Sequence, residues 1–354
     1  MQNTKIQRCT QCLMPSSYPG IHFDARGVCS QCVQFIKKEP LGEAALLKVL
    51  HSRRGKEYDC VVGISGGKDS CYVAYLAKEI YELRTLAVCY DFPFLCDLAR
   101  ANIDRVCNAL NIELVTVRSR NNLEYNLIRN HLMSMARTGT SWGQCLFCHY
   151  GIDAILLQIS EQKKIPFVLG GITKYELWNP GSRTGMLLER VRKLPLPDIM
   201  RFAYYQFKSY LRLVDQRRQF RIPSCSTLKV YSRAEVPSNL ATHINVFDYV
   251  QWDQDLMEEI LTEKTGWIKP EKSLSWRYDC ILEPLLDYTY LKEFGISTVG
   301  IYLSNLIRDG RTSRDEALKA MHETEDNDAL RKKVEYVFEY LELPKNSRDV
   351  FFAA

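Results

Sequence analysis

Six consecutive residues, Ser65-Gly66-Gly67-Lys68-Asp69-Ser70, gather the groups that hold a polyanion: two glycines, two hydroxyls, a cation and a carboxylate. Glycine lets backbone N–H groups approach an oxyanion, and a helix starting just after them adds about half a positive charge. Lys68 can neutralise phosphate oxygens, and Asp69 can hold a divalent cation between them. The Walker loop has different spacing, with four residues between its first Gly and the Gly-Lys-Ser/Thr. A second set of groups opens the chain. Cys9, Cys12, Cys29 and Cys32 follow the pattern C-x2-C-x16-C-x2-C, which suits a structural zinc ion. Four thiolates close a tetrahedral shell and leave no open position for chemistry.

Three further positions stand out. Cys145 and Cys148 form a C-x-x-C where a helix should begin, a setting that lowers thiol pKa values and suits metal binding or redox work. Two sulfurs are too few for a closed site, so a metal there would also need Cys225 or Cys280; the alternative is a pair of buried thiols that packs a loop. Asp91 and Gly170 each follow a run with strand character.

The elements that must position these groups are legible in the hydropathy. Cys60 to Ile64 is a short apolar run of the kind buried on both faces of a sheet. Further strands are expected at residues 85–90, 112–117 and 166–169, with helices at 70–83, 96–110, 122–136 and 148–161. This alternation predicts an α/β fold, a parallel sheet with helices on both faces. Ligands of such sheets sit beyond the carboxyl ends of the strands, which puts Ser65 to Ser70, Asp91 and Gly170 on one rim. Asp91 there could touch a nucleotide or its Mg²⁺, or serve as a plain turn residue. Residues 1–40 read as the four-cysteine module and 41–180 as the α/β domain. After the break Asn179-Pro180-Gly181-Ser182, residues 181–354 read as a mainly helical region for substrate or partner.

At 354 residues, with 46% hydrophobic and 25% charged, the chain has the composition of an ordinary globular protein. No apolar run approaches the roughly 18 residues of a membrane span, and Met1 to Arg8 is too polar for a signal peptide. Thirteen cysteines then read as reduced thiols and metal ligands in the cytoplasm. The net charge is +5, yet residues 181–221 carry ten Lys/Arg against three acids, a local +7 that leaves −2 for the remainder. Such a segment either draws a polyanion (a nucleotide-sugar diphosphate, RNA or a lipid headgroup surface) or is a solvated helix face that is simply basic.

Ser65 to Ser70 resembles the PP-loop of ATP pyrophosphatases, which split ATP between the α and β phosphates and adenylate an oxygen. Further motifs are Cys9-x-x-Cys12-Leu13-Met14-Pro15, Phe23-Asp24 with Gly27-Val28-Cys29, Gly143 to Ile152, and Asn305-Leu306-Ile307-Arg308 with Gly310 to Leu318. With these the chain is similar, over most of its length, to the N-acetyl sugar amidotransferases of surface-polysaccharide biosynthesis, the PseA- and WbpG-like group. The resemblance implies a PP-loop (HUP-like) sheet, a zinc-ribbon-like module, and use of ATP, Mg²⁺ and Zn²⁺. It implies AMP- and pyrophosphate-forming conversion of an acetamido group to an acetamidino group, on a sugar or nucleotide sugar of lipopolysaccharide O-antigen. In that reading Ser65, Gly66, Gly67 and Ser70 cradle pyrophosphate, Lys68 offsets charge on the transferring phosphate, and Asp69 positions Mg²⁺. The chain has no Gly-x-Cys-x-Gly glutaminase elbow, so glutaminase and ammonia-channelling cyclase-like subunits are implied as partners, and nucleic acid is not. The alternative resemblance is to PP-loop tRNA thiolases, in which Cys145, Cys148 and a distant third cysteine would hold an iron–sulfur cluster.

Overall fold

The structure, a computed structural model, describes residues 6–138, 144–176, 191–219, 241–270, 277, 279–325 and 327–353. Five strands, β1 (Cys60–Gly63), β2 (Thr85–Tyr90), β3 (Glu113–Val117), β4 (Phe167–Gly170) and β5 (Thr242–Asn245), lie in the order β3-β2-β1-β4-β5. Every neighbouring pair is parallel. The chain lays strands outward on one side of β1 and then returns to its other side, so the winding reverses between β1 and β4. That is where a sheet of this kind opens a crevice for a ligand.

The expected strand at 60–64 is central because it can afford no polar side chain on either face: Cys60, Val61 and Val62 are wholly buried. Helices Lys68–Tyr75, Asp97–Ala109, Leu123–Met135 and Gln144–Lys163 fall between the strands close to their expected positions. The last of them starts earlier than expected and takes in both Cys145 and Cys148. β5 was not expected. Its four residues, Thr242-His243-Ile244-Asn245, hold one aliphatic side chain, too little for a period to show, and as an edge strand it buries little. It also lies past residue 180, so the sheet draws on both sides of the break seen in the sequence.

Asp59 locks the entry to β1. Its buried carboxylate accepts from Arg84 N, Nε and Nη2, from Gly55 N and from Arg54 Nη1. Burial alone would push the carboxyl up, but the Arg84 guanidinium and these donors hold it down at about 2. A depressed carboxyl stabilises the fold above its unfolded pKa, about 3.9, and that contribution is lost as pH falls toward 2. Asp59→Asn is therefore expected to cost about 2 kcal/mol at neutral pH. In denaturant titrations the gap from the parent should close between pH 4 and 2.

The C-terminal region is helical: Gln254–Thr265, Glu283–Phe294, Thr298–Arg308, Arg314–Thr324, Asn327–Tyr340 and Lys345–Ala353. The expected capping box, Ser313 with Glu316, starts the fourth of these. The four-cysteine module does not stand apart. Leu13, Met14, Tyr18 and Ile21 share one apolar cluster with Leu286, Tyr290, Phe294, Ile296, Ile301 and Met321. About forty residues cannot build a core alone, and here the C-terminal helices supply half of it.

Part of the basic segment falls outside the described residues. Helix Leu196–Gln219 packs on Leu123–Met135, with Gln206 Nε2 donating to Ser134 Oγ at 2.8 Å. Tyr204, Phe207 and Tyr210 on this helix are exposed. Among the described residues no helix is long and apolar enough to cross a membrane.

Candidate functional site

The chain leaves β1 at Gly63 and enters helix Lys68–Tyr75 through the glycine turn. Gly66 has φ +81°, and a Cβ there would lie 2.2 Å from the carbonyl oxygen of Ala99, so no other residue fits. The turn is closed on itself: Ser65 N donates to Ser70 Oγ at 3.1 Å, and Ser70 Oγ to Gly67 O at 3.1 Å. Lys68 is buried, and its Nζ donates to Asp69 Oδ2 at 2.8 Å. Cation and carboxylate thus neutralise each other at the first turn of a helix whose dipole favours an anion.

Two tryptophans from beyond residue 247 hold this turn. Trp252 Nε1 donates to Asp69 Oδ1 at 2.6 Å, and the Lys68 ammonium sits 5.3 Å from the centre of its ring. Trp267, wholly buried, donates to Gly66 O at 2.9 Å. Neither was singled out from the sequence. An isolated Trp far along the chain has no local signature; a buried indole N–H does need an acceptor, which only the fold reveals.

The second wall comes from β4. Gly170 pairs with Asn245 and ends the strand, while Gly171 makes the close approach, since a Cβ on it would lie 3.1 Å from Asp69 O. Next along, Glu176 Oε1 accepts from Thr173 N at 3.1 Å and Thr173 Oγ1 at 2.9 Å. Asp279 completes the site, its Oδ2 lying 3.9 Å from where a Cβ on Gly67 would stand. Burial pushes the Glu176 and Asp279 carboxyls up; Asp69 adds to the rise and Arg277 opposes it. Hard oxygen donors beside an anion cradle are the set that Mg²⁺ takes, and Asp69 with Asp279 fits that set once Lys68 releases Asp69 Oδ2.

Other expected residues lie elsewhere. Asp91 is on the rim beyond β2, but Arg100 and Arg118 occupy its two oxygens, so it orients guanidinium groups instead of standing open to a metal ion. Lys174, which follows β4, was not among them; it is tied to Asp309 at 2.8 Å and to Lys38 O. Cys225 lies outside the described residues. Cys145, Cys148 and Cys280 share a neighbourhood, and Arg277 Nη1 reaches Cys145 Sγ at 3.9 Å. Burial and mutual repulsion push the Cys148 and Cys280 thiols up. As a trio their ligand atoms do not all lie within 4.8 Å of one another, and the other partner weighed, Cys225, lies outside the described residues. Among the described residues one group of three or more ligating side chains has all its ligand atoms within 4.8 Å, and it is Cys9, Cys12, Cys29 and Cys32.

Those four thiols are buried, with Cys9 Sγ 3.9 Å from Cys32 Sγ and Cys12 Sγ 3.7 Å from Cys29 Sγ. Zinc with Zn–S of about 2.3 Å sets tetrahedral sulfurs about 3.8 Å apart, so the group fits the ion. Backbone N–H groups of Gln11, Cys12 and Cys29 point at Cys9 Sγ, and Arg308 Nη1 points at Cys12 Sγ at 3.4 Å; these stabilise thiolate. Without a cation the Cys29 hydrogen bond and burial push Cys12 up to about 12.

A parallel doubly wound sheet with a glycine turn and helix N-terminus at its switch point defines an α/β protein with an anion site. Residues 247–352 match the family model of the LPS biosynthesis protein WbpG-like C-terminal domain. That match includes the Asn305 to Leu318 stretch, one of the motifs on which the resemblance was read. A relative is the uncharacterized protein MJ1599 of Methanocaldococcus jannaschii, 26% identical over 114 residues, which are 30% of this chain and 41% of that protein. Among solved structures, U34-tRNA thiolase NcsA from Methanococcus maripaludis with its [4Fe-4S] cluster is 16% identical, over 88% of each chain, with a TM-score of 0.32. NMN synthetase from Francisella tularensis is also 16% identical, over 66% of this chain and 88% of that one, with a TM-score of 0.28.

Proposed function

We propose that this chain is an ATP-dependent, AMP- and pyrophosphate-forming amidotransferase that converts the acetamido group of a surface-polysaccharide sugar to an acetamidino group. The observation that carries the reading is the Ser65–Ser70 turn at the sheet's switch point, gripped by Trp252 and Trp267 of a WbpG-like domain. An amide carbon is a poor electrophile and its oxygen a poor leaving group. The amide oxygen attacks the α-phosphorus of ATP and pyrophosphate departs; ammonia then adds to the imidate carbon, and AMP leaves with the oxygen.

The backbone of Ser65 to Gly67 and the Ser70 hydroxyl cradle the departing pyrophosphate. Lys68 turns from Asp69 to the phosphate that carries the developing charge. Freed of Lys68, Asp69 with Asp279 would hold Mg²⁺, which when bound neutralises phosphate charge. Arg277, whose charge acts on Glu176, Asp279 and Cys145, would orient the acceptor. Ammonia comes from a separate glutaminase and its channelling subunit. The test is to incubate the protein with ATP, Mg²⁺, ammonium and acetamido sugars, free or nucleotide-linked, and to follow products by chromatography. AMP and an amidino sugar in equal amounts are expected; ADP as product would sink the reading.

A second reading, a PP-loop thiolase, is favoured by the nearness of Cys145, Cys148 and Cys280 to the cradle. It requires an iron–sulfur chromophore in the anaerobically purified protein, and a colourless zinc protein excludes it.

A further inference from the structure

We propose that the four-thiol centre sets the geometry of the nucleotide turn through one continuous column of contacts, with Arg308 as its positioning residue; this deepens, and rests on, the ATP-binding reading above. The column begins where Arg308 Nη1 donates to Cys12 Sγ at 3.4 Å. The same guanidinium donates through Nη2 to Asn305 Oδ1, one turn back on helix Thr298–Arg308. Asn305 Nδ2 donates to the carbonyl oxygen of Tyr175 at 2.7 Å. Tyr175 is held at its other end too, its hydroxyl donating to Asp309 Oδ2 at 2.6 Å. Its ring lies 5.1 Å from that of Trp252, and Trp252 donates to Asp69 Oδ1 at 2.6 Å while covering the Lys68 ammonium.

The two members nearest the turn are fixed in place. Tyr175 and Trp252 are 2% and 5% exposed, too tightly packed to change rotamer singly. A shift of the thiols therefore has to move Arg308, and with it Asn305, the Tyr175 backbone and the indole that orients Asp69. A module that merely stapled the N-terminus would have no need of a guanidinium shared between a sulfur and the helix that grips Tyr175. The thiolates also accept that guanidinium best when a metal ion keeps them ionised, so an occupied centre favours the column as it stands.

The test uses the full chain, with Mg·ATP titrated by calorimetry into Arg308→Gln, Trp252→Phe and the double variant, each with zinc content and melting temperature measured. Arg308→Gln is expected to keep its zinc and its fold yet bind Mg·ATP about ten-fold more weakly. The double variant should bind no worse than Trp252→Phe alone, because the two act through one contact. Should Arg308→Gln lose zinc, Asn305→Ala, which touches no thiol, carries the same expectation. Parent-like affinity in a zinc-loaded Arg308→Gln or Asn305→Ala, or losses that simply add in the double variant, overturn the coupling. Failure of the parent itself to bind Mg·ATP overturns instead the reading of the site on which the coupling rests.

Discussion

Lys68→Ala is expected to lower AMP formation by about a hundred- to a thousand-fold, with both a higher KM for ATP and a lower kcat. Its ammonium is the cation at the mouth of the cradle, buried and aimed by its partners: Asp69 accepts one of its hydrogen bonds and the Trp252 ring covers the charge. In that pocket a positive charge acts on developing phosphate charge with little water to screen it. The fold should barely notice the change. Asp69 keeps its bond to Trp252 and some solvent, and alanine is the better helix former at the first turn. The discriminating measurement is a single-turnover assay beside a melting curve. Full AMP formation in a folded Lys68→Ala protein removes Lys68 from the chemistry and the cradle from the mechanism.

The second large effect is expected at Cys12. Cys12→Ser should take zinc from one equivalent to a weakly held fraction and lower the melting temperature by roughly 10 °C, a loss of several kcal/mol. The size follows from packing as much as from ligation. Leu13 and Met14, wholly buried, are carried by the same short segment and fill the cluster shared with Tyr290, Phe294 and Ile301. Losing the metal loosens that segment, and the apolar face of the C-terminal helices loses its cover. Leu13 N also gives up its hydrogen bond to Ser304 Oγ, and Arg314 its two bonds to the Cys9 and Cys12 carbonyls. Atomic absorption and calorimetry together check it; a zinc-free Cys12→Ser protein that melts like its parent would make the centre dispensable to the fold.

The primary structure by itself determined the parts of this protein whose cause is local. The strand at Cys60 follows from an unbroken apolar run, and the turn after it from a glycine, Gly66, where φ is positive. The four-thiol centre follows from two close pairs of cysteines, whose spacing alone lets each pair reach one ion. The parallel sheet follows from strands and helices taken in alternation, and the Ser313–Glu316 box from a cap that spans three residues.

Only the tertiary structure decided which distant groups meet. Nothing near Trp252 in the chain says that its N–H ends on Asp69, because that bond joins residues 183 positions apart. Asp91 looked like a ligand because it follows a strand; two arginines placed by packing took its oxygens. β5 stayed hidden for a related reason, since an edge strand of four residues takes its pairing from β4 and not from its own pattern. Local rules act over one turn or one strand. A site assembled from four separate stretches depends on the burial that brings them together, and burial is a property of the whole chain.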